Sequence, residues 1–222
     1  MRLRRSSPIL ALIASATIVS LATPVQSTPT VVGLWHMDET SGTTAVDASG
    51  LGHDGVNTNV TFVTPGFDGT GGAYSFNGTS RVVIPDSASL NPGSADVTLT
   101  AYVNTSVLPG AVGDYDLIRK KKGKQLYKME IFGTGQGYCQ FKGNINSVAV
   151  KGGPNVVDGR WHLIVCTKTA SQVSLMVDGV TVATKVRTAG SISNTIGVYL
   201  GMKPDRGDAY TGLMDEVSIT IG

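Results

Sequence analysis

The sequence predicts an all-β domain, a sandwich or barrel, because short strand-like runs recur between turn-forming clusters along the chain. The 28 glycines, together with abundant valine, serine and threonine, favour strands and turns over helices. Turn signals separate the runs at intervals of about 8–12 residues, which is typical of sandwiches and barrels. Helical apolar periodicity is absent from every longer stretch, so we expect at most a turn or two of helix.

Alternation and turn dipeptides predict the individual strands. Val97–Val103 alternates apolar with polar residues, the pattern of a strand with one buried face. Ala73–Phe76 and Arg81–Ile84 flank Asn77-Gly78, the dipeptide that most favours a tight hairpin, so these two runs are predicted to pair.

A second set of hairpins is predicted near the C-terminal end. Trp161–Thr169 and Val173–Val177 are joined by a short turn, and Asp178-Gly179 turns the chain again into Val180–Lys185. The remaining predicted strands are Val31–Met37, Asp116–Arg119, Leu126–Phe132, Gly137–Lys142, Val148–Val150, Val198–Met202 and Leu213–Ile221.

Residues 1–27 have the layout of a secretory signal peptide. Arg2, Arg4 and Arg5 precede an uncharged apolar stretch, Ile9–Leu21, and small residues allow cleavage after Ser27. The alternative is an uncleaved membrane anchor, but the apolar run is shorter than the roughly 20 residues that span a bilayer. We therefore expect a secreted protein in which residues 28–222 form one domain.

The charge balance and the cysteine content indicate which partners and which compartment are expected. The chain has 18 basic and 16 acidic residues, so it is close to neutral once the signal arginines are removed, and neither nucleic acid nor an anionic membrane is indicated as a partner. Cys139 and Cys166 predict one disulfide in an oxidising compartment, the alternative being two buried free thiols. Such a bridge is expected to require the two strands to lie side by side, with Cα atoms within about 7 Å.

Several short sequence blocks occur in order between Gly33 and Ile219. They are Gly33–Glu39 with Ser41-Gly42 and Asp47–Gly55, Phe76–Gly78 before Val82–Pro85, Asp158–His162 leading through Cys166 to Val177–Gly179, and Gly212–Val217. In this order they resemble laminin-G-like domains of the concanavalin A-like lectin/glucanase superfamily, with Tyr102 where that family usually carries Trp. The resemblance implies a two-sheet antiparallel jelly-roll sandwich that serves as an extracellular binding or adhesion module, often for carbohydrate, in some members with a structural calcium ion.

A calcium site is predicted from carboxylates near glycine-rich turns. Ca²⁺ prefers six to eight oxygens, and the segment Asp47–Gly55 offers carboxylates and glycine carbonyls. If the first and last strands pair, as they do in the family, Asp38 and Asp215 would approach this segment. We hypothesise one structural calcium bound by Asp47, Asp215 and Asp38, the alternative being that these residues only form Asx-turns and cap loops.

No catalytic residue is predicted, and the protein is not expected to be an enzyme. Glycoside hydrolases of this fold place Glu-x-Asp-x-x-Glu along one strand, a spacing that this chain lacks. Asp114 and Asp116 would share a strand face, but beside Gly113 they are interpreted as solvated turn carboxylates. The histidines are scattered: His36 and His162 are expected to pack or cap a sheet and His53 to be exposed, so no metal or nucleophile pattern results.

Ligand binding is predicted from aromatic and basic residues. Candidate sugar-stacking residues are Tyr115, Tyr127, Tyr138, Tyr199 and Tyr210, each of which would look the same in sequence if it were in the core. The basic run Arg119–Lys124 suits an acidic polysaccharide, although a solvated loop or a lysine-protected edge strand is the favoured interpretation. Arg206-Gly207-Asp208 spells an adhesion tripeptide of the kind that also arises by chance.

The first functional hypothesis is therefore a secreted, non-catalytic module that binds carbohydrate or a glycoconjugate. An extracellular protein–protein or cell-surface adhesion domain of the same fold is the second, and a polysaccharide hydrolase is a distant third. Beyond calcium, no cofactor is expected.

Overall fold

The computed structural model describes residues 28–110 and 113–222, and the predicted signal peptide, residues 1–27, lies outside them. The described residues form two antiparallel sheets and a short 3-10 helix, Ala88–Leu90. None of their helices is long and apolar enough to cross a bilayer. That residues 28–222 make up a single domain stays a prediction.

Sheet I contains eight strands. In chain order they are β1 (Thr30–Trp35), β4 (Thr61–Val63), β5 (Ala73–Asn77), β7 (Val97–Asn104), β12 (Trp161–Lys168), β13 (Gln172–Val177), β14 (Val180–Val186) and β16 (Thr211–Ile221). Their spatial order is β14-β13-β12-β7-β16-β5-β4, and β1 also pairs with β16.

Sheet II also contains eight strands. They are β2 (Thr44–Ala45), β3 (Gly55–Thr58), β6 (Arg81–Ile84), β8 (Asp114–Lys122), β9 (Gln125–Phe132), β10 (Gly137–Lys142), β11 (Ser147–Gly152) and β15 (Val198–Leu200). The spatial order is β11-β10-β9-β8-β15-β6-β3-β2. The predicted all-β, two-sheet antiparallel sandwich is confirmed.

One continuous hydrophobic core fills the space between the sheets. Every second residue of β7 is buried, as the alternation predicted, and the fully buried aromatic side chains of Trp35, Tyr74, Tyr127 and Phe141 anchor the core. Because a strand exposes alternate residues on its other side, each sheet also has an outer face turned away from this core.

Several predicted pairings are confirmed. The hairpins β12–β13 and β13–β14 form, and β1 pairs antiparallel with β16, which joins the first and last strands of the described chain. The hairpin predicted at Asn77-Gly78 was wrong. Although the chain turns there, β5 pairs with β4 and β16 in sheet I, whereas β6 pairs with β3 and β15 in sheet II.

The disulfide between Cys139 and Cys166 forms, with Cα atoms 5.5 Å apart and neither cysteine exposed. The expectation that its two strands lie side by side was wrong. Cys139 is on β10 of sheet II and Cys166 is on β12 of sheet I, so the bridge crosses the core and links the sheets face to face.

Candidate functional site

The outer face of sheet II carries a row of charged and aromatic side chains. Residues paired across adjacent antiparallel strands point to the same side of a sheet. The register pairs Tyr138 with Lys151 on one side and with Glu130 on the other, and Glu130 pairs with Asp116. The next residue along β10, Cys139, is in the core, so this row points outward.

A second row of paired residues crosses the same face, two residues away from the first row along β9 and β10. Gln140 pairs with Lys128, Lys128 with Arg119, Arg119 with Tyr199, and Tyr199 with Val83. Together the two rows place amide, cationic, anionic and aromatic groups across five strands of one surface.

An aromatic pair lies at the centre of the β9–β10 part of this face. The ring centroids of Phe132 and Tyr138 are 4.7 Å apart, and both side chains are half-buried. The ammonium group of Lys128 lies 5.2 Å from the Tyr138 ring centroid, and that of Lys151 lies 5.1 Å from the Phe132 centroid, both within cation–π range. The result is an apolar platform flanked by two cations.

Four carboxylates lie beside this platform, and two of them are fully buried. Asp116 accepts hydrogen bonds from Arg119 Nη1 at 2.9 and 3.0 Å, and Glu130 accepts one from Lys128 Nζ. The Arg119 guanidinium also lies 3.6 Å from Glu130 Oε1. Asp116 and Glu130 are each 0% exposed.

The other two carboxylates belong to Asp114 at the start of β8 and to Asp208 in the loop before β16. Asp208 forms an ion pair with Lys203 at 2.5 Å. The interpretation of Asp114 and Asp116 as solvated turn carboxylates was wrong, because both lie in β8, on the shared face that their spacing implied, and Asp116 is buried. Asp208 is also the last residue of the tripeptide Arg206-Gly207-Asp208. Its carboxylate is paired with Lys203 within the protein.

The protonation of these carboxyls is shifted by their surroundings. Burial, and then the neighbouring charge of Asp116, raise the pKa of Glu130 to about 8. Burial, and then a hydrogen bond and charge repulsion from Asp208, raise the pKa of Asp114 to about 6. Burial and the crowding of carboxyls thus disfavour the ionised form of both groups.

The basic run Arg119–Lys124 is not on an edge strand, and only its residues 121–124 are exposed, so the favoured interpretation holds only in part. Its first four residues lie in β8, which is interior to sheet II between β9 and β15. Lys120 is 0% exposed and donates to Asp86 Oδ1 and to the Ile196 carbonyl, both at 2.5 Å. The run is thus divided: Arg119 and Lys120 are buried with partners in the protein, whereas residues 121–124 are exposed.

The histidines have structural partners too. His53 is buried, contrary to the expected exposure, with Nδ1 2.6 Å from the Val32 carbonyl and Nε2 2.9 Å from Ser89 Oγ. His36 lies 2.7 Å from Glu216 Oε1. His162 contacts Asp158 and Asp178, and the hydrogen bonds outweigh the lowering effect of burial, so the pKa of His162 is raised.

Two of the three predicted calcium ligands lie against one loop, residues 65–72. Asp38 Oδ1 accepts a hydrogen bond from Gly72 N at 2.6 Å, and Asp215 Oδ2 accepts one from Phe67 N at 2.8 Å. A Cβ added at Gly66 would lie 2.4 Å from the Gly72 carbonyl oxygen, 2.6 Å from Asp215 Oδ2 and 2.8 Å from the Thr70 carbonyl oxygen. Oxygens from separate segments thus converge here, the donor set that Ca²⁺ prefers.

The charge at this loop also suits a cation. Burial, aided by the nearby charges of Glu216 and Asp38, raises the pKa of Asp215 to about 6 against the backbone hydrogen bonds that lower it. The residues present therefore fit calcium, although the loop differs from the segment Asp47–Gly55 that the sequence indicated.

Asp47, the third predicted ligand, is occupied by protein donors. Its carboxylate accepts hydrogen bonds from Leu34 N at 3.0 Å, Ser49 N at 2.9 Å, Ser49 Oγ at 2.8 Å and His53 N at 2.8 Å. Within residues 28–110 and 113–222, Asp38, Asp47 and Asp215 do not bring their ligand atoms together as a group of three. These contacts match the alternative that the sequence left open for Asp47, in which its carboxylate forms an Asx-turn and caps a loop.

The five tyrosines divide between the core and the surface. Tyr115, Tyr127 and Tyr210 belong to the core, whereas Tyr138 and Tyr199 lie on the outer face of sheet II. Sequence reasoning missed Phe132 and Lys151. Their signal was available, because period-2 alternation within β9 and β11 places them opposite the buried residues.

The fold has relatives among solved structures. At 16% identity and a TM-score of 0.70, the chain is similar to the binding domain of Paraclostridial Mosquitocidal Protein 1, with 86% of this chain and 48% of that chain covered. At 12% identity and a TM-score of 0.63, it is similar to a botulinum neurotoxin type C structure, with coverage of 86% and 47%; that toxin's cell entry depends on interaction with two ganglioside molecules. The chain thus spans about half the length of these two structures.

A third similar structure is domain 4 of AbnA, an extracellular arabinanase of Geobacillus stearothermophilus, in complex with arabinotriose. The identity is 15% and the TM-score 0.64, and the comparison covers 88% of this chain and 94% of that one. At identities this low, these likenesses show the fold alone.

Sequence comparison supplies the family. No curated protein matches the chain. Residues 76–220, more than half of the chain, match the Laminin_G_3 family, described as the concanavalin A-like lectin/glucanases superfamily. The chain therefore belongs to this family of laminin-G-like, concanavalin A-like domains.

Proposed function

We propose that the protein is a secreted, non-catalytic carbohydrate-binding module whose sugar contacts lie on the outer face of sheet II. The observation that carries the proposal is the Phe132–Tyr138 platform with its two flanking lysines. The apolar face of a sugar ring packs on aromatic rings, while its hydroxyl groups hydrogen-bond to the polar groups at their rim.

Support also comes from the wider surface. Tyr199 adds a second aromatic ring across the sheet, and Lys128 and Gln140 add hydrogen-bond donors between the two. Similar folds occur in an arabinanase domain bound to arabinotriose and in a ganglioside-dependent toxin.

A non-catalytic role is supported by the burial of the two carboxylates that face each other across β8 and β9. A general acid or nucleophile of a glycosidase must touch the glycosidic oxygen or the anomeric carbon. Asp116 and Glu130 are 0% exposed and are bound to Arg119 and Lys128, so a sugar on this surface does not reach them.

Secretion is supported by the disulfide and by the charge and apolar layout of residues 1–27. A second candidate function, protein adhesion, is favoured by one feature, the exposed edge strand β14. Its Val180 is 63% exposed and its Val186 is 81% exposed, and an edge strand can pair with a partner strand.

Replacement of Tyr138 by alanine tests the carbohydrate proposal. Against an array of neutral and acidic oligosaccharides, we expect the wild-type protein to bind a coherent group. Tyr138→Ala should weaken that binding by about tenfold or more, because a loss of about 1.4 kcal/mol in stacking corresponds to a tenfold change. Affinities measured by titration with the best oligosaccharide give the comparison.

Two further variants make the result specific. Tyr138→Phe keeps the ring and should retain most of the affinity, and Tyr102→Ala removes a ring from the outer face of sheet I and should leave affinity unchanged. Equal binding by wild type and Tyr138→Ala would contradict the assigned surface. An array without binding would instead favour adhesion through β14.

We also propose that the loop at residues 65–72 binds a structural calcium ion through Asp38 and Asp215. Chelator should lower the melting temperature of the wild-type protein by about 5–10 °C, since an ion present at 100 times its Kd stabilises by about 2.7 kcal/mol. Asp215→Asn should make the response to chelator clearly smaller, because the loop no longer binds its ion. Asp68→Asn, at an exposed carboxylate in the same loop, should keep it.

A melting temperature that is the same in calcium and in chelator would refute the proposed loop site. So would an Asp215→Asn variant that responds to chelator as the wild-type protein does.

A further inference from the structure

The carboxylates of Asp114, Glu130 and Asp208 meet at a single point beside the aromatic platform. One carboxylate oxygen from each residue lies within 4.8 Å of the other two. They come from three separate segments: β8, β9 and the loop between β15 and β16. Long-range packing therefore assembles the group, which no local turn explains.

Ion pairs engage only three of the four carboxyl groups beside the platform. Arg119 pairs with Asp116, Lys128 with Glu130, and Lys203 with Asp208. No lysine or arginine of the described residues lies within salt-bridge distance of Asp114. One carboxylate more than the available cations is thus held in a partly closed site.

Two residues of this group carry a buried carboxylate oxygen without a hydrogen-bond partner. Glu130 is 0% exposed, and its Oε2 accepts no hydrogen bond from the described protein groups, although Oε1 is bound by Lys128. Asp114 Oδ1 is likewise buried and unpartnered. Buried polar oxygens in folded proteins are nearly always satisfied, so two orphaned acceptors in one cluster indicate a bound positive species, either a proton or a cation.

We propose that Asp114, Glu130 and Asp208 bind a divalent cation, Ca²⁺, on the outer face of sheet II. Oxygens bound to one Ca²⁺ at about 2.3–2.6 Å lie no more than about 5 Å apart, which the 4.8 Å spacing satisfies. The donors are all oxygen, with no histidine or cysteine in the group, so a hard cation is favoured over zinc or copper. Asp114 and Asp208 are partly exposed, which gives the ion a route in and leaves room for water ligands.

This site is separate from the loop at residues 65–72 and does not rest on carbohydrate binding. The cation would tie β8, β9 and the 203–208 loop together and would fix the side chains next to Tyr138. If both calcium sites are filled, the protein binds two ions through different carboxylates.

Calorimetric titration of the chelator-treated, purified protein with CaCl₂ tests the proposal. We expect two bound ions for the wild-type protein. Glu130→Gln and Asp114→Asn should each lose one ion or weaken its binding at least tenfold, and Asp38→Asn should lose the other. Asp205→Asn, an equal charge change at an exposed position of the 203–208 loop, should bind as the wild type does.

A circular dichroism spectrum establishes that each variant is folded. If Glu130→Gln does not fold, Asp208→Asn, at a less buried position, gives the same comparison. Wild-type stoichiometry and affinity in Glu130→Gln, Asp114→Asn and Asp208→Asn would overturn the site, and so would loss of all binding in Asp38→Asn. In either case, protons shared between the carboxylates would be what satisfies the orphaned oxygens.

Discussion

The double replacement Cys139→Ala/Cys166→Ala should lower the free energy of unfolding by about 3.5 kcal/mol. The two residues are 27 positions apart in sequence, and closing a loop of that length removes this much conformational free energy from the unfolded chain. In a domain of this size the melting temperature should fall by about 10 °C. Equilibrium denaturation of the oxidised wild type and of the variant gives both values.

The double replacement removes buried side-chain atoms as well as the crosslink, so the stability cost of the lost packing must be measured separately. Val148→Ala, at a fully buried position of the neighbouring strand β11, gives the cost of a truncation in the same core layer without opening a loop. The double cysteine variant should be clearly less stable than Val148→Ala. A loss below about 1 kcal/mol would mean that the contacts between the sheets, and not the covalent link, hold this end of the sandwich together.

The position of this disulfide shows how far sequence reasoning reaches. The predicted strands Gly137–Lys142 and Trp161–Thr169 contain Cys139 and Cys166, and both cysteines lie in strands and in the core. Alternation tells which side of a strand is buried, but not which of two sheets the strand joins. A bridge across the core and a bridge within a sheet therefore gave the same pattern.

The same ambiguity explains the error at Asn77-Gly78. The dipeptide correctly marks a sharp turn, and Gly78 adopts a positive φ of 80° there. A turn between two strands of one sheet and a turn that carries the chain over to the other sheet have the same local chemistry. Pairing of β5 with β16, far away in sequence, decides between them.

The candidate site was harder to predict because its parts are distant in sequence. Asp114 and Asp116 were recognised as sharing a strand face, but Gly113 suggested a loop. In the fold, Asp116 pairs with Glu130, one strand over, and Asp114 meets the loop that carries Asp208. Three separate segments that converge leave no spacing signal in a single sequence.

Asp47→Ala should destabilise the protein by about 3 kcal/mol, equally in calcium and in chelator. The carboxylate of Asp47 accepts backbone hydrogen bonds from Leu34, Ser49 and His53. Alanine leaves these donors without an acceptor, at about 1 kcal/mol or more each. Denaturation of the variant, with and without calcium, separates a role in loop structure from the metal ligation that the sequence suggested.

The pH dependence of the stability lost in Asp47→Ala supplies an independent check. Burial raises the pKa of Asp47, but the hydrogen bonds from His53, Leu34 and Ser49 lower it more, so the net pKa lies below the ordinary 3.8. A lowered folded-state pKa means that the ionised carboxylate contributes its full stability above pH 4 and loses it as the pH falls through the folded-state value. The gap in stability between wild type and Asp47→Ala should therefore be constant near neutral pH and narrow in acid. A gap that closes in chelator at neutral pH would instead make Asp47 a calcium ligand, because only a bound ion would then connect its carboxylate to the stability of the fold.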